Sequence, residues 1–527
     1  MTFSSLVFIC IFLPVTFLLH SVIPNLRVRN ALLIISSLFF YAYGEPVYVI
    51  LLLISVLLNY SVVLLMTGSR KRLMLILAVV ANLGILFTFK YLGFLIGSVN
   101  DLFGTKLTVP EISLPIGISF FTFQAMSYVI DVYRGDAERE KNFFRVLLYI
   151  SFFPQLIAGP IVKYRDIAAQ LRERKVTVEE AAPGLRRFIF GLSKKVFIAN
   201  SMAVAVDAIF ESDMGNVNIL TAWIGAVAYM LQIYFDFSGY SDMAIGMGRM
   251  FGFKFKENFD APYTSVNIKE FWRRWHISLS TWFKEYVYIP LGGNRKGKVR
   301  TGVNKLLVFF LCGLWHGANW TFVVWGLFHG AFSFLEEAVS GIRKLPRILG
   351  HIYAMLIVCV GFVIFRADTI GSAFDMIGRM FTGFDFSAAS MSFTLQQLTP
   401  FFIVMLVIGI LLAGPGERLV KKAKEAAGEG TCEAARDEKQ PEIHDTFEKN
   451  AEHGETGGDI SESEPVVIHE NKSKSGNGSV EPDDKTRHAG KRNVLQVVLY
   501  VVAFVMLLWC MIRLSGGSYN PFIYFRF

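Results

Sequence analysis

Long apolar runs alternate with short polar stretches along this sequence. The apolar runs occupy residues 3–23, 31–43, 47–66, 73–97, 112–130, 185–210, 219–237, 306–335, 352–365, 400–412 and 494–514. Several of them reach the roughly 18 residues that distinguish membrane-spanning helices from the core helices of soluble proteins. The pattern predicts an all-α polytopic membrane protein with about 10–12 transmembrane and re-entrant helices.

The run at residues 147–160 differs from the others because it is short and interrupted. Its length of about 14 residues falls below the ~20 that a straight crossing needs, and Pro154, Gly159 and Pro160 break it. Irregular backbone is tolerated within a membrane only where protein or a watery cavity covers it. We therefore predict a re-entrant element beside an internal cavity.

The polar residues 415–493 interrupt the membrane pattern. They are rich in Glu, Lys, Gly and Ser and nearly lack aromatic residues, a composition typical of disordered segments. The sequence thus predicts a membrane core over residues 1–414, a polar insert, a last transmembrane helix over residues 494–514 and an aromatic tail over residues 515–527. An aromatic chain end favours docking into a groove, and an interfacial belt is the alternative.

The overall composition also indicates a membrane protein. The 527 residues are 53% hydrophobic and 18% charged, with a formal net charge of +9, whereas soluble domains carry about 25% charged residues. The composition therefore argues against a soluble enzyme and against a nucleic-acid binder, and the expected surroundings are the lipid bilayer. Five cysteines are scattered singly, without metal-ligand spacing, so we expect no metal site.

His316 stands out because it lies deep in an apolar run. An ionisable group in a membrane segment is costly to bury and is therefore a functional candidate. Asn319 follows three residues later, within helical reach of the same face, where it could orient the imidazole. From this window alone, a structural histidine hydrogen-bonded between helices is an equal alternative. His329 lies on another face of the same predicted helix, and we interpret it as structural.

His276 lies in an aromatic and basic segment, residues 267–286. Apolar residues recur there at helical spacing with basic residues off that stripe, a pattern that predicts an interfacial helix at the cytoplasmic surface. Arg273 and Arg274 could receive an anionic donor such as the phosphates of coenzyme A. The alternative is an anchor helix with an incidental histidine.

Three further charged residues lie in or beside apolar runs. Asp236 and Asp242 border the run that ends near residue 237, where a carboxylate must be paired or solvated. We favour a structural pairing with the arginines over a direct catalytic role. Lys90 lies inside another run, and we expect it to reach the membrane surface or to face protein.

Five longer motifs occur along the membrane portion. They are FPQLIAGP at 153–160, YFDFSGYSDM at 234–243, EFWRRWHISLSTWF at 270–283, YIPLGGNR at 288–295 and LWHGANW at 314–320. Together they resemble the membrane-bound O-acyltransferase (MBOAT) family, in its bacterial alginate O-acetylation branch. The likeness covers residues 1–414 and the last helix, and the polar insert departs from it.

The resemblance implies a ring of helices around a central funnel, with His316 at its centre and His276 nearer the cytoplasmic side as the two catalytic histidines. It implies transfer of an acyl group, most often acetyl, from a cytosolic thioester toward an extracytoplasmic polysaccharide. Acetyl-CoA would be a co-substrate, and no cofactor would be bound. The resemblance also implies a separate extracytoplasmic polysaccharide O-acetyltransferase subunit as partner, a bacterial cytoplasmic membrane location, and Tyr524 as the candidate acyl relay.

The residues support a chemistry consistent with this resemblance. A neutral His316 could act as general base toward an acceptor hydroxyl, a role worth roughly 10²–10⁴-fold, and the side-chain N–H groups of Asn319 or Trp320 could stabilise the oxyanion. The alternatives are a carrier-protein thioester donor, as in D-alanyl transfer, or a lipid acceptor. From other classes come a transporter of an acyl donor or polymer precursor, and a scaffold that only recruits an extracytoplasmic enzyme.

Overall fold

The computed structural model describes residues 1–295, 297–414, 416, 419, 483–517 and 519–520, and this part of the chain is helical without any strand. The α-helices are α1 Leu13–Val22, α2 Leu26–Ala42, α3 Tyr48–Leu65, α4 Lys71–Leu86, α5 Leu92–Phe103, α6 Ile118–Arg134, α7 Phe143–Ser151, α8 Phe153–Leu156, α9 Tyr164–Arg172, α10 Val178–Ser193, α11 Asn200–Phe210, α12 Ile219–Met250, α13 Ile268–Arg274, α14 Ile277–Phe283, α15 Gly297–His316, α16 Trp320–Ala338, α17 Ser340–Arg343, α18 Arg347–Arg366, α19 Ile370–Thr382, α20 Ala388–Gln397, α21 Pro400–Ala413 and α22 Asp483–Ser515. Turns of π-helix occur at Phe8–Phe12, Phe87–Tyr91, Lys194–Ala199 and Lys284–Tyr288, and 3₁₀ turns at Gly68–Arg70, Met214–Asn216 and Pro262–Thr264.

Six helical segments in the described part of the chain are long and apolar enough to cross a membrane. They are Tyr48–Leu65, Gly68–Phe103, Val178–Phe210, Ile219–Met250, Arg347–Arg366 and Val494–Ser515. The pair α20 and α21, bent by 66°, makes a seventh if the two count as one broken span. These helices confirm the predicted all-α polytopic membrane architecture.

The longest helix, α12, packs against α10 along small residues. An added Cβ at Gly184 would lie 2.7 Å from Gly246 O, and one at Gly191 would lie 2.5 Å from Gly239 O. The residue numbers of the two contacts run in opposite directions, so the helices are antiparallel. Small residues let helix backbones approach closely in membrane proteins, and here they seat α12 in the middle of the core.

The apolar run 306–335 forms two helices, so the prediction of one continuous helix is wrong. Helix α15 ends at His316 and α16 begins at Trp320, because the Asn319 side chain caps α16 by accepting from Thr321 N at 3.1 Å. The helices fold back as a hairpin in which an added Cβ at Gly313 would lie 2.2 Å from Phe322 O. His316 therefore stands at a helix end.

The interrupted run 147–160 is broken and buried, as predicted. Helix α7 ends at Ser151, the short α8 follows, and an extended stretch leads into α9. Every residue from 146 to 164 is buried. Protein therefore covers this irregular backbone, which is the condition under which such backbone is tolerated inside a membrane.

The chain divides into two units, Met1–Ala423 with Tyr500–Phe527, and Lys424–Leu499. Only the start of α22 is described in the second unit, so the predicted polar insert lies almost wholly outside the described residues. In the first unit, Asn520 donates to Ser4 Oγ at 3.0 Å and accepts from Asn200 Nδ2 at 3.1 Å. Tyr519 also donates to Asp207, so the tail contacts the core at Tyr519 and Asn520, and Tyr524 lies outside the described residues.

Candidate functional site

His276 lies at a break between two short helices. Helix α13 ends at Arg274 and α14 begins at Ile277, and His276 between them has φ 45°. This left-handed backbone is uncommon for a residue other than glycine. The side chain is 1% exposed, so the prediction of a continuous interfacial helix is wrong here. The break turns His276 into the interior.

Asn258 holds this break in place, and sequence reasoning missed it. Its Oδ1 lies 3.1 Å from His276 Nδ1 and also accepts from Ser278 N at 3.2 Å and Ser278 Oγ at 2.9 Å. Because a carbonyl oxygen only accepts, Nδ1 is the protonated nitrogen, and Nε2 carries the lone pair. The Asn258 amide donates to Ser241 Oγ on α12 at 3.1 Å. The network therefore fixes both the ring orientation and the tautomer.

His316 lies beside His276 in an aromatic enclosure. The ring centroids of the two histidines are 6.5 Å apart. The rings of Trp315, Trp325 and Phe365 surround His316 at 4.9–5.2 Å, and His316 is 8% exposed. The structure thus brings together the two histidines that the sequence singled out. At this separation, two imidazoles can act on one small group between them.

The two predicted donor-binding arginines differ in availability. Arg274 donates to Glu270 Oε1 at 2.8 Å and to Asp260 O at 3.0 Å. Burial alone would raise the pKa of Glu270, but hydrogen bonds from Val266 N and Arg274 hold that pKa below its ordinary value. The side chain of Arg273 is 74% exposed and its nearest carboxylate oxygen, on Glu270, is 3.9 Å away. Arg273 is therefore the more accessible cation.

Asp236 and Asp242 are paired with lysines and with an arginine of α10, which corrects the expected pairing with Arg273 and Arg274. Asp236 lies 2.8 Å from Lys195 Nζ, and both side chains are almost fully buried. Asp242 is paired with Lys194 and Arg187, both at 2.7 Å. The Asp236 pair lines a cavity together with Met1, Thr2, Phe3, Ser4, Ile157, Tyr240 and Met243.

Asn319 and Trp320 are engaged away from the histidines. The Asn319 amide donates to Asp368 O at 2.9 Å, and Trp320 Nε1 donates to Ser98 Oγ at 3.2 Å. The prediction that Asn319 shares a helical face with His316 is wrong, because the two residues belong to different helices. The Trp320 N–H and one of the two Asn319 N–H groups are thus donated elsewhere in this structure.

His329 is buried in an aromatic cluster next to the site. Its ring lies 5.3 Å from Trp325, which also contacts His316, and 5.2 Å from Trp272. Neither ring nitrogen has a hydrogen-bond partner in the described part of the chain. Among the same residues, no group of three or more His, Cys, Asp or Glu side chains could hold a metal ion.

Comparison with known proteins identifies the family of this chain. Residues 133–367, which include both histidines, match the model of MBOAT, the membrane-bound O-acyltransferase family. The chain is 39% identical to the probable alginate O-acetylase AlgI of Azotobacter vinelandii over 100% of both chains. It is 45% identical to the probable alginate O-acetylase AlgI of Pseudomonas aeruginosa over 72% of this chain and 75% of that one. It is 38% identical to the peptidoglycan O-acetyltransferase of Helicobacter pylori over 72% of this chain and 79% of that one. The chain thus belongs to the membrane-bound O-acyltransferase family and is a multi-pass membrane O-acyltransferase.

Proposed function

We propose that this O-acyltransferase moves an acetyl group from cytosolic acetyl-CoA toward O-acetylation of an extracytoplasmic polysaccharide. The observation that carries the proposal is the buried pair of His276 and His316, with ring centroids 6.5 Å apart. The names of the relatives, alginate O-acetylases and a peptidoglycan O-acetyltransferase, favour acetyl as the group and a polysaccharide as the final acceptor. A separate extracytoplasmic transferase subunit would complete the transfer to the polymer.

The proposed step needs one base and one thioester. The His316 imidazole takes the proton from an acceptor hydroxyl, whose oxygen attacks the acetyl carbonyl carbon. The C–S bond then breaks, and the coenzyme A thiolate leaves and takes the proton back from the imidazolium. His276 lies close enough to orient the same group, with its Nε2 lone pair free for a hydrogen bond. The aromatic enclosure excludes water, which would otherwise hydrolyse the thioester.

Arg273 is the better supported of the two donor-binding candidates. Its guanidinium is exposed and can form bidentate hydrogen bonds with a phosphate. Arg274 would instead support the entrance by holding Glu270 and the loop at Asp260. Arg273→Ala is therefore expected to raise KM for acetyl-CoA, whereas His316→Ala acts on kcat.

Tyr524 is proposed as the acceptor of the first transfer and the relay to the partner subunit. The contacts of the preceding residues support this idea, because Asn520 hydrogen-bonds to Ser4. Ser4 in turn lines the cavity that contains Asp236 and Lys195. The tail is thus attached to the core at Asn520, four residues before Tyr524.

The first experiment compares wild type, His316→Ala and His329→Ala, purified in nanodiscs and incubated with radiolabelled acetyl-CoA. His329→Ala is the matched control, because it also removes a buried imidazole that contacts Trp325. We expect wild type and His329→Ala to release coenzyme A or to take up label, and His316→Ala to lose at least 10²-fold. Equal activity of His316→Ala and wild type would refute the assignment of the base. A wild-type protein that is inactive with acetyl-CoA but active with an acetylated carrier protein would refute the assignment of acetyl-CoA as the donor.

The relay is tested by removing single hydroxyl groups. Tyr524→Phe should abolish label on the protein, while Tyr519→Phe, which removes the hydroxyl that donates to Asp207 at 2.8 Å, should keep it. Deletion of residues 524–527 should block handover to the polymer without unfolding the membrane core. Normal polymer acetylation after that deletion would exclude the relay.

A further inference from the structure

The end of α15 poses a hydrogen-bonding problem that the proposed chemistry does not address. The last carbonyl groups of an α-helix have no partner within the helix, and where water is excluded they must find partners in protein. The Gly313 carbonyl accepts a hydrogen bond from Gly317 N at 3.3 Å. The carbonyl groups of Leu314, Trp315 and His316 then still need donors.

One turn of a neighbouring helix supplies all three. Tyr91 Oη donates to Leu314 O at 2.7 Å. Lys90 Nζ donates to Trp315 O at 2.6 Å and to His316 O at 3.1 Å. Two consecutive side chains therefore satisfy every remaining carbonyl group at the end of the helix that carries His316.

Lys90 is bound by neutral oxygen atoms. Its third contact is Ser119 Oγ at 3.1 Å, which uses the last of the three donors of an ammonium group. None of the ion pairs in the described ranges includes Lys90. A cation is favourable at a helix C-terminus because it meets the negative end of the helix dipole. Two of the three hydrogen bonds of Lys90 are thus directed at the end of α15.

The local backbone of Lys90 is also unusual. Lys90 and Tyr91 lie in the π-helical turn Phe87–Tyr91, which joins α4 to α5. Single π-helical turns are rare and are frequently found at functional sites. Consecutive side chains of a regular α-helix diverge by about 100°, yet here both reach the same helix end. The widened turn thus accompanies the convergence of the two side chains.

We propose that Lys90 is a positioning residue for acyl transfer. By binding the last carbonyl groups of α15, it holds the imidazole at its 6.5 Å separation from the His276 ring. This inference rests on the proposed catalytic role of His316. The contacts of Lys90 are two backbone oxygens of α15 and Ser119 Oγ, none of which takes part in the proposed step, so its effect on the reaction passes through His316.

The test variant is Lys90→Met, which keeps a long unbranched side chain and removes all three donors. We expect kcat to fall about 10²-fold, the loss that a displacement of about 1 Å can cause, with the KM for the thioester donor unchanged. The control is Asn82→Ala on α4, which removes a buried polar side chain bonded to Asn59 at 2.7 and 3.1 Å. Neither of these hydrogen bonds involves α15, so removal of the Asn82 amide should leave kcat at the wild-type value.

Amide hydrogen exchange gives a readout that needs no substrate. Lys90→Met should speed exchange in the last turn of α15, and Asn82→Ala should not. If wild type transfers no acyl group from any thioester, the proposed function fails, while the exchange data still decide whether Lys90 holds the helix end. Exchange and kcat in Lys90→Met that match Asn82→Ala would overturn the inference. If Lys90→Met does not fold, Tyr91→Phe, which removes only the bond to Leu314 O, should show both effects at smaller size.

Discussion

The contact between α15 and α16 at Gly313 couples helix packing to the position of His316. An added Cβ at Gly313 would lie 2.2 Å from Phe322 O, and the obstructing atom is backbone. Relieving this contact to 3.0 Å requires the two helices to separate by about 0.8 Å. Gly313 precedes His316 by about one helical turn, so the imidazole should move with the backbone.

The expected size of the effect follows from that displacement. Forcing an extra methyl group into a close-packed contact typically costs about 1–3 kcal/mol of stability. A misplacement of about 1 Å in a catalytic arrangement can cost about 10²-fold in rate. Gly313→Ala should therefore lower the melting temperature of the purified protein and reduce kcat for acyl transfer by about two orders of magnitude.

Gly84→Ala on α4 is the matched control for this substitution. An added Cβ at Gly84 meets no atom within 4 Å, and alanine favours a helix by about 1 kcal/mol over glycine. This control should be as stable as wild type, or more so, with unchanged kcat. Thermal melts of both variants in the same detergent, followed by the acetyl-CoA release assay, test the argument. A Gly313→Ala protein that equals Gly84→Ala in both assays would refute the transmission of the shift to His316.

Four further substitutions test the packing and polar contacts of the core around the site. Asn258→Ala removes the acceptor for two N–H groups and should cost about 1–3 kcal/mol of stability in thermal melts. Its kcat should fall by more than the loss of folded protein explains. Lys195→Met alone should cost about 3–5 kcal/mol of stability, because it removes one partner of a buried ion pair. The double variant with Asp236→Leu should recover most of that loss. Equal melting temperatures of the single and double variants would contradict this expectation. Trp282→Ala deletes a buried ring stacked 3.7 Å from Phe123 and should cost about 3–5 kcal/mol, and a loss below 1 kcal/mol would show that the site relaxes around the gap.

Hydropathy alone could predict the class of the fold, because spanning helices need long apolar runs. It could also locate the broken segment at 147–160 from its prolines and glycine. It could not predict that the run 306–335 divides into two helices, since both halves are apolar and the break depends on capping by Asn319. It likewise underestimated α12, which continues beyond residue 237 to Met250 because its later polar residues are buried in protein contacts.

The candidate site was predictable in its residue types and not in its supporting contacts. His316 stood out because ionisable groups are costly in apolar segments, whereas His276 lay in an aromatic and basic segment and its proposed role came from the family resemblance. Asn258 gave no signal, because an isolated asparagine in a loop is ordinary in any sequence. Lys90 gave the signal of a charge inside an apolar run, but only the three-dimensional contact with the end of α15 shows its target. Helical periodicity also misplaced Asn319, because it assumes that the helix continues past His316.

Both histidines stand at interrupted helices, and this placement should couple the proposed catalysis to stability. Broken helix ends expose backbone groups that must find partners in protein when water is absent. Asn258 supplies such a partner at the break around His276, and Lys90 supplies it at the end of α15. Because these side chains both satisfy backbone groups and orient an imidazole, their substitution should lower melting temperature and kcat together. His316→Ala should lower kcat far more than its change in melting temperature predicts. If a plot of kcat against melting temperature placed all of these variants on one line, His316 would act only through packing.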